Sequence, residues 1–180
     1  LVTGVQTCAL PISVRYAEKY LSEEKGVEQD IEYTRQKMLE NKAILMPLFR
    51  YLPWFSQNRG GAGASNYEGQ GLSENSVSFP VYDSTLMSFV KEAGKSSVMD
   101  KNYPYVYTRR GIRNHDDERK LIARATYKEW DMLRGILSKY VLGGRTKATL
   151  WSEGMSEDIF YLVLLKMKEI IEFWDQPIRL

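Results

Sequence analysis

The chain has 180 residues, 43% of them hydrophobic and 12% aromatic, with a formal net charge of +2. That length and apolar content suffice for one domain with a real core and exclude an intrinsically disordered chain. The near-balanced charge gives no overall pull toward a polyanion, and the longest apolar stretch near the C-terminus, residues 159–165, is far too short to cross a bilayer.

In chain order, Leu1 is followed by Val2-Thr3-Gly4-Val5-Gln6-Thr7-Cys8-Ala9-Leu10-Pro11-Ile12. This string resembles one reading frame of a common short-read library adapter at every position. The resemblance implies a metagenomic fragment whose reading frame ran into untrimmed adapter, and the missing initiator Met fits a truncated frame. A secretory signal is the competing interpretation. It lacks a positive n-region, since no Lys or Arg precedes Arg15, and Thr3, Gly4, Gln6 and Thr7 break its apolar run. Setting residues 1–12 aside as non-native removes Cys8, the only cysteine. No disulfide framework, cysteine metal site or cysteine nucleophile is then expected, which is compatible with a cytoplasmic protein. Residues 1–12 are expected to pack poorly; a well-buried Val5 or Leu10 would contradict the adapter origin.

Residues 13–55 read as an N-terminal helical segment that the truncation leaves incomplete. Tyr16, Ala17, Tyr20 and Leu21 recur at helical spacing, as do Val27, Ile31, Thr34 and Met38. Gly26 is expected to break or bend the helix between them. Ile44, Leu45, Leu48, Phe49 and Leu52 line a further face. Pro47 suits a first helical turn, so a new helix is expected near Leu45–Met46, stopping around Tyr51–Leu52 before Pro53.

Residues 56–76 read as a Gly-rich loop, with five glycines between Arg59 and Asn75. Residues 77–176 read as the helical core domain. It opens on Val77–Tyr82, which alternates like a strand that Pro80 confines to an edge. Asp83 then caps a helix ending near Gly94. Tyr103, Tyr105 and Tyr107 alternate and suggest extended chain. Asp116, Asp117 and Glu118 suit the positive end of a helix. Thr126 and Glu129 have the form of a capping box before a helix that stops at Gly143-Gly144. A short helix is expected near residues 146–151. Ser156 should cap a last helix with Phe160, Val163, Leu164, Met167, Ile170, Ile171 and Trp174 on one stripe. The fold class expected is mainly α: a single helical domain with at most a small β element near residues 76–82.

The run Tyr140-Val-Leu-Gly-Gly-Arg-Thr-Lys-Ala-Thr-Leu-Trp151-Ser-Glu-Gly154 leads into an apolar helix. It resembles the C-terminal part of the bacterial "domain of unknown function 6508" family, and the likeness extends loosely over residues 79–174. The resemblance implies a small, mainly helical bacterial domain. It brings no activity and no catalytic residues to carry over.

Candidate sites are few. His115 with Asp116, Asp117 and Arg145 could serve an enzyme, but there is no second histidine, and Asn114-His115 is an ordinary helix entry. Residues 59–71 lack the Gly-Lys-Ser/Thr ending of a phosphate loop. Gly143-Gly144 followed by Arg145 and Lys147 is a better anion candidate, through free N–H groups at a helix start. Residues 101–150 carry 12 Lys/Arg against 5 Asp/Glu. Within that excess, Tyr105 and Tyr107 alternate with Arg109, Arg110 and Arg113, so bases could stack while guanidinium groups hold phosphates. Packed tyrosines beside solvated arginines explain the same pattern. No cofactor, metal site or membrane association is expected. The function expected is a non-enzymatic protein-interaction module, with nucleic-acid binding through residues 101–113 or an enzyme of unrecognised type as alternatives.

Overall fold

The computed structural model describes the backbone of residues 2–67, 79–147 and 149–177, and the side chains of residues 25–64, 81–147 and 149–177. The expectation that residues 1–12 pack poorly concerns side chains outside the described residues. The protein is mainly α, with α1 Val2–Phe49, α2 Leu52–Gln57, β1 Ala64–Tyr67, β2 Phe79–Tyr82, α3 Ser84–Lys95, α4 Tyr103–Arg110, α5 His115–Arg124, a 3-10 turn Tyr127–Glu129, α6 Trp130–Gly143, α7 Leu150–Ser156 and α8 Ile159–Asp175. No described helix is long and apolar enough to cross a membrane.

Two expected helix breaks do not occur. α1 runs unbroken through Gly26 and through Pro47. Glycine costs a helix only about 1 kcal/mol relative to alanine, and Gly26 has good helix formers on both sides. Pro47 forfeits one backbone hydrogen bond. Yet helical geometry there buries Leu45 and Leu48 almost completely, each worth about 1.5–3 kcal/mol. The helix ends two residues after the proline. Pro53 does not stop a helix either, but sits in the first turn of α2, where its missing N–H has no partner to lose.

The glycine-rich loop is shorter than expected, because Ala64–Tyr67 forms a strand. It pairs antiparallel with β2, Ala64 opposite Tyr82 and Tyr67 opposite Phe79. Pro80 lies on β2, at the edge of a two-stranded sheet. Asp83 caps α3 as expected, its carboxylate accepting the Thr85 N–H at 2.7 Å, and α3 ends at Lys95.

The tyrosine alternation is not a strand. Residues 103–110 form α4, with Pro104 in its first turn and Gly111 closing it in the left-handed conformation at φ 64°. Val106 is buried against α6 at Gly135, where a Cβ would come within 2.8 Å of the valine side chain. Tyr103, Val106 and Tyr107 follow i, i+3, i+4 spacing toward α6, and Tyr105 faces away, 58% exposed.

The capping box is formed: Glu129 accepts the Thr126 N–H at 2.7 Å and the Thr126 hydroxyl accepts the Lys128 N–H at 3.3 Å. These Thr126 donors hold the Glu129 carboxyl below its usual range. α6 ends at Gly143 as expected. The short helix after it lies later than expected, at Leu150–Ser156. Ser156 therefore closes α7 and does not cap α8. The reversal into α8 falls on Asp158, left-handed at φ 58° and held by the Gly60 N–H at 2.9 Å.

α8 is the central element. Phe160, Val163, Leu164 and Met167 are fully buried, with Ile170 and Ile171 nearly so. Its aromatic end meets Phe55, Phe89 and Tyr140 at ring separations of 5.8, 5.2 and 6.0 Å. α1 packs against α8. Lys42 pairs with Asp175 at 2.8 Å, and the Arg35 guanidinium donates to the Trp174 carbonyl at 3.3 Å. α8 ends there, and residues 27–33 of α1 are exposed. Met38, Leu45 and Leu48 of α1 join one core with residues of α2, α3, α6 and α8.

Candidate functional site

His115, the only histidine, heads α5, capped by the Asn114 side chain, which accepts the Asp117 N–H at 2.8 Å. Its neighbours in sequence do not join it in chemistry. Asp116 pairs with Arg119 at 2.5 Å, which lowers its pKa, and Asp117 accepts the Arg113 N–H at 3.0 Å. Arg145 lies against Gly94 on α3. The His115, Asp116, Asp117 and Arg145 grouping is thus not assembled.

A different cluster forms around Glu118, which is 1% exposed. Its Oε2 accepts the Tyr140 hydroxyl at 2.6 Å, and its Oε1 meets Lys139 Nζ at 3.1 Å. His115 Nδ1 lies 2.9 Å from the Tyr140 oxygen. With the hydroxyl proton committed to Glu118, Nδ1 is the donor in that contact. His115 Nε2 faces Glu153 at 3.9 Å. Lys139 Nζ also lies over the Tyr107 ring at 4.5 Å and the Tyr140 ring at 5.0 Å. Burial, reinforced by Glu118, pushes the Tyr140 and Tyr107 hydroxyls far above their usual range.

This arrangement ties α4, α5 and α6 together through a carboxylate with both oxygens occupied. Glu118 is closed to a substrate, with both carboxylate oxygens bonded and 1% of its surface exposed. No group of three or more described His, Cys, Asp or Glu residues is placed to hold a metal ion. Its chemistry is that of a satisfied buried ion pair. Sequence inspection missed Glu118, grouping it with the acids of the first turn. One signal was available: His115, Glu118 and Ile122 are spaced 3 and 4 apart, so the glutamate stands on the inward stripe.

One member is not satisfied. The Tyr107 hydroxyl is buried without a hydrogen-bond partner. Tyr107→Phe is therefore expected to leave stability at neutral pH unchanged, or to raise it by up to about 1 kcal/mol. The sign with pH follows from linkage. A phenol that resists ionisation when folded ionises first in the unfolded chain, so its stability is complete below about pH 10 and lost as pH rises above that. The phenylalanine variant is spared this loss, so its advantage should widen between about pH 8 and pH 11. Urea titrations at both values test this; a variant weaker than wild type at each would show that the hydroxyl is bonded.

The tyrosine and arginine stretch divides. Tyr105, Arg109 and Arg113 are exposed, with the Arg109 guanidinium 5.8 Å from the Tyr105 ring centre. Tyr107 turns inward, and Arg110 Nε is buried without a partner. Only one tyrosine of the pair Tyr105 and Tyr107 offers its ring to solvent.

The helix-start anion site at residues 143–147 is not formed. The N–H groups of Gly144, Arg145, Thr146 and Lys147 all donate to carbonyls of residues 140–143. The Lys147 ammonium approaches Glu153 at 3.9 Å.

Residues 27–33 of α1 are all exposed. Val27 and Ile31 are 58% and 37% exposed. With Thr34, Met38, Leu45 and Leu48 they form one seam spaced 4, 3, 4, 7 and 3 residues apart. The seam is solvent-exposed at one end and buried in the core at the other. Lys25, Glu28, Asp30 and Glu32 flank the exposed end, three carboxylates to one ammonium.

No protein-family model, curated protein or solved structure matches this chain.

Proposed function

We propose that the protein is a non-enzymatic protein-interaction module that docks a partner helix on the exposed seam of α1. The observation carrying this is the heptad-like register, interrupted only by Asn41 between Met38 and Leu45, that runs from buried Met38, Leu45 and Leu48 out to exposed Val27 and Ile31. A seam of that spacing is the surface that a second amphipathic helix covers. The flanking carboxylates select the partner. A second copy paired antiparallel over residues 25–34 would bring acid against acid, so the occupant is a different chain with basic residues beside its apolar stripe. The same proposal assigns residues 2–12 to translated adapter, residues 79–174 to the bacterial domain of unknown function 6508, and the protein to the cytoplasm.

The nucleic-acid alternative rests on Tyr105 and Arg109. It is the weaker reading, because stacking platforms use successive rings and Tyr107 faces inward. The enzyme alternative lacks an accessible set of reacting groups among the described residues.

The test uses a helical peptide of about four heptads, with leucine at the seam positions and lysine beside them. The wild-type chain is expected to bind it with micromolar affinity in fluorescence anisotropy. Val27→Glu with Ile31→Glu should weaken binding by about 100-fold, since each residue contributes roughly 1.5 kcal/mol on burial. Equal binding by the variant, or a stable homodimer in light scattering, would overturn the assignment.

A further inference from the structure

Arg145, singled out for a helix-start site that does not form, has a different environment. Its side chain reaches across to α3, where Gly94 leaves it room. A Cβ at Gly94 would run into the Arg145 guanidinium, with Cζ 3.3 Å away. α3 contributes Lys91 and Lys95, one helical turn apart. Together with Met87, Val90 and Trp151 they line a hollow of about 460 Å³. Three cations line it, and among the described residues no carboxylate does. Among the described residues none of the three takes part in a salt bridge or a side-chain hydrogen bond.

Several cations elsewhere on the surface are paired. Arg50, Arg59, Arg119, Arg134 and Lys139 each have a carboxylate partner. Lys91 and Lys95 repel one another at i, i+4 spacing, and Arg145 adds to that repulsion. An anion in the hollow relieves all three at once. Trp151 is a fixed part of the lining: its indole N–H donates to the Val141 carbonyl at 3.1 Å, and its ring packs edge-on against Tyr82 at 5.3 Å. Val90 is 3% exposed and Met87 39% exposed.

We propose that this hollow binds a small organic phosphate carrying a flat ring, of the nucleoside diphosphate class. The guanidinium offers paired donors to phosphate oxygens. Two ammonium groups a helical turn apart bracket a second phosphate. Trp151 and Met87 supply an apolar wall for the ring. The volume falls within the range of small-molecule sites. The partner-helix seam on α1 plays no part, so the two proposals stand or fall separately.

The test is calorimetric titration of the full chain with adenosine diphosphate, inorganic diphosphate and adenosine, at low salt. Adenosine diphosphate is expected to bind with a dissociation constant below about 1 mM, and inorganic diphosphate about tenfold more weakly. Arg145→Gln with Lys95→Gln should weaken nucleotide binding at least about tenfold. Gly94→Ala supplies a second variant that keeps every cation. Alanine is the better helix former, and the atoms it meets are the movable end of Arg145, so thermal stability should hold or rise while nucleotide binding falls. No binding of adenosine diphosphate at about 5 mM would overturn the proposal. So would unchanged binding in both variants. Inorganic diphosphate binding as tightly as the nucleotide would also overturn it, because the Trp151 wall would then contribute nothing.

Discussion

Phe160→Ala should lower the free energy of unfolding by about 3–5 kcal/mol, the largest loss expected from any single truncation in this core. Its side chain is fully buried, and its ring lies within 6.0 Å of the rings of Phe55, Phe89 and Tyr140. Gly154 leaves the space it fills: a Cβ there would come 2.5 Å from Cε2. Those neighbours belong to α2, α3, α6 and α7, so a cavity at Phe160 is walled by four elements that cannot all move inward. Domains of this size are stable by about 5–15 kcal/mol, so about a fifth or more of the total is at stake. Guanidinium titration against Phe173→Ala provides the control. Phe173 is 70% exposed on the same helix, and its truncation should cost under about 0.5 kcal/mol. Similar losses for the two would contradict a core centred on Phe160.

Glu118→Ala should cost about 2–4 kcal/mol. The loss comes from the partners left behind as much as from the carboxylate removed. Tyr140 is fully buried, and among the described residues its hydroxyl would retain only His115 as a hydrogen-bonding neighbour. Lys139 is 28% exposed and can turn toward water, which keeps the loss below that of a fully enclosed pair. Glu118→Gln preserves shape and hydrogen bonding and should cost about half as much. A double-mutant cycle with Tyr140→Phe should give a coupling above about 0.5 kcal/mol. Additive losses would mean that the 2.6 Å contact carries no energy of its own.

The helices that were legible in advance are those whose signals are local. Asp83 before Leu86, Phe89 and Val90, and Thr126 with Glu129 before the Trp130 stripe, combine a capping group with an apolar face. Caps act within three residues, so no distant part of the chain is needed to see them. Where local cues conflicted, tertiary packing chose. Alternating tyrosines at 103, 105 and 107 suit a strand equally well, and the choice of helix rests on Val106 meeting Gly135 on α6. Pro47 favours a helix start by itself, and the burial of Leu45 and Leu48 overrides it. Ser156 has a good capping side chain, but the turn is made two residues later, at Asp158, which is anchored from Arg59 and Gly60.

The candidate sites show the same division. Glu118 stands on an inward stripe, so its burial was open to inspection, but its partners Lys139 and Tyr140 lie on another helix. Arg145 was visible as a cation after two glycines. That it meets Lys91 and Lys95, some fifty residues earlier in the chain, depends on how α3 packs against α6. Read alone, the sequence carries the mainly helical class, the apolar stripe of α8, the capped starts of α3, α5 and the turn before α6, and the stripe of Val27, Ile31, Thr34 and Met38. Periodicity and capping are properties of neighbours along the chain. The joining of that stripe to Leu45 and Leu48, the end of it that is covered, the carboxylate that is enclosed and the cations that share a hollow come from the packing. Each of those depends on atoms brought together from distant segments, and no local pattern carries that information.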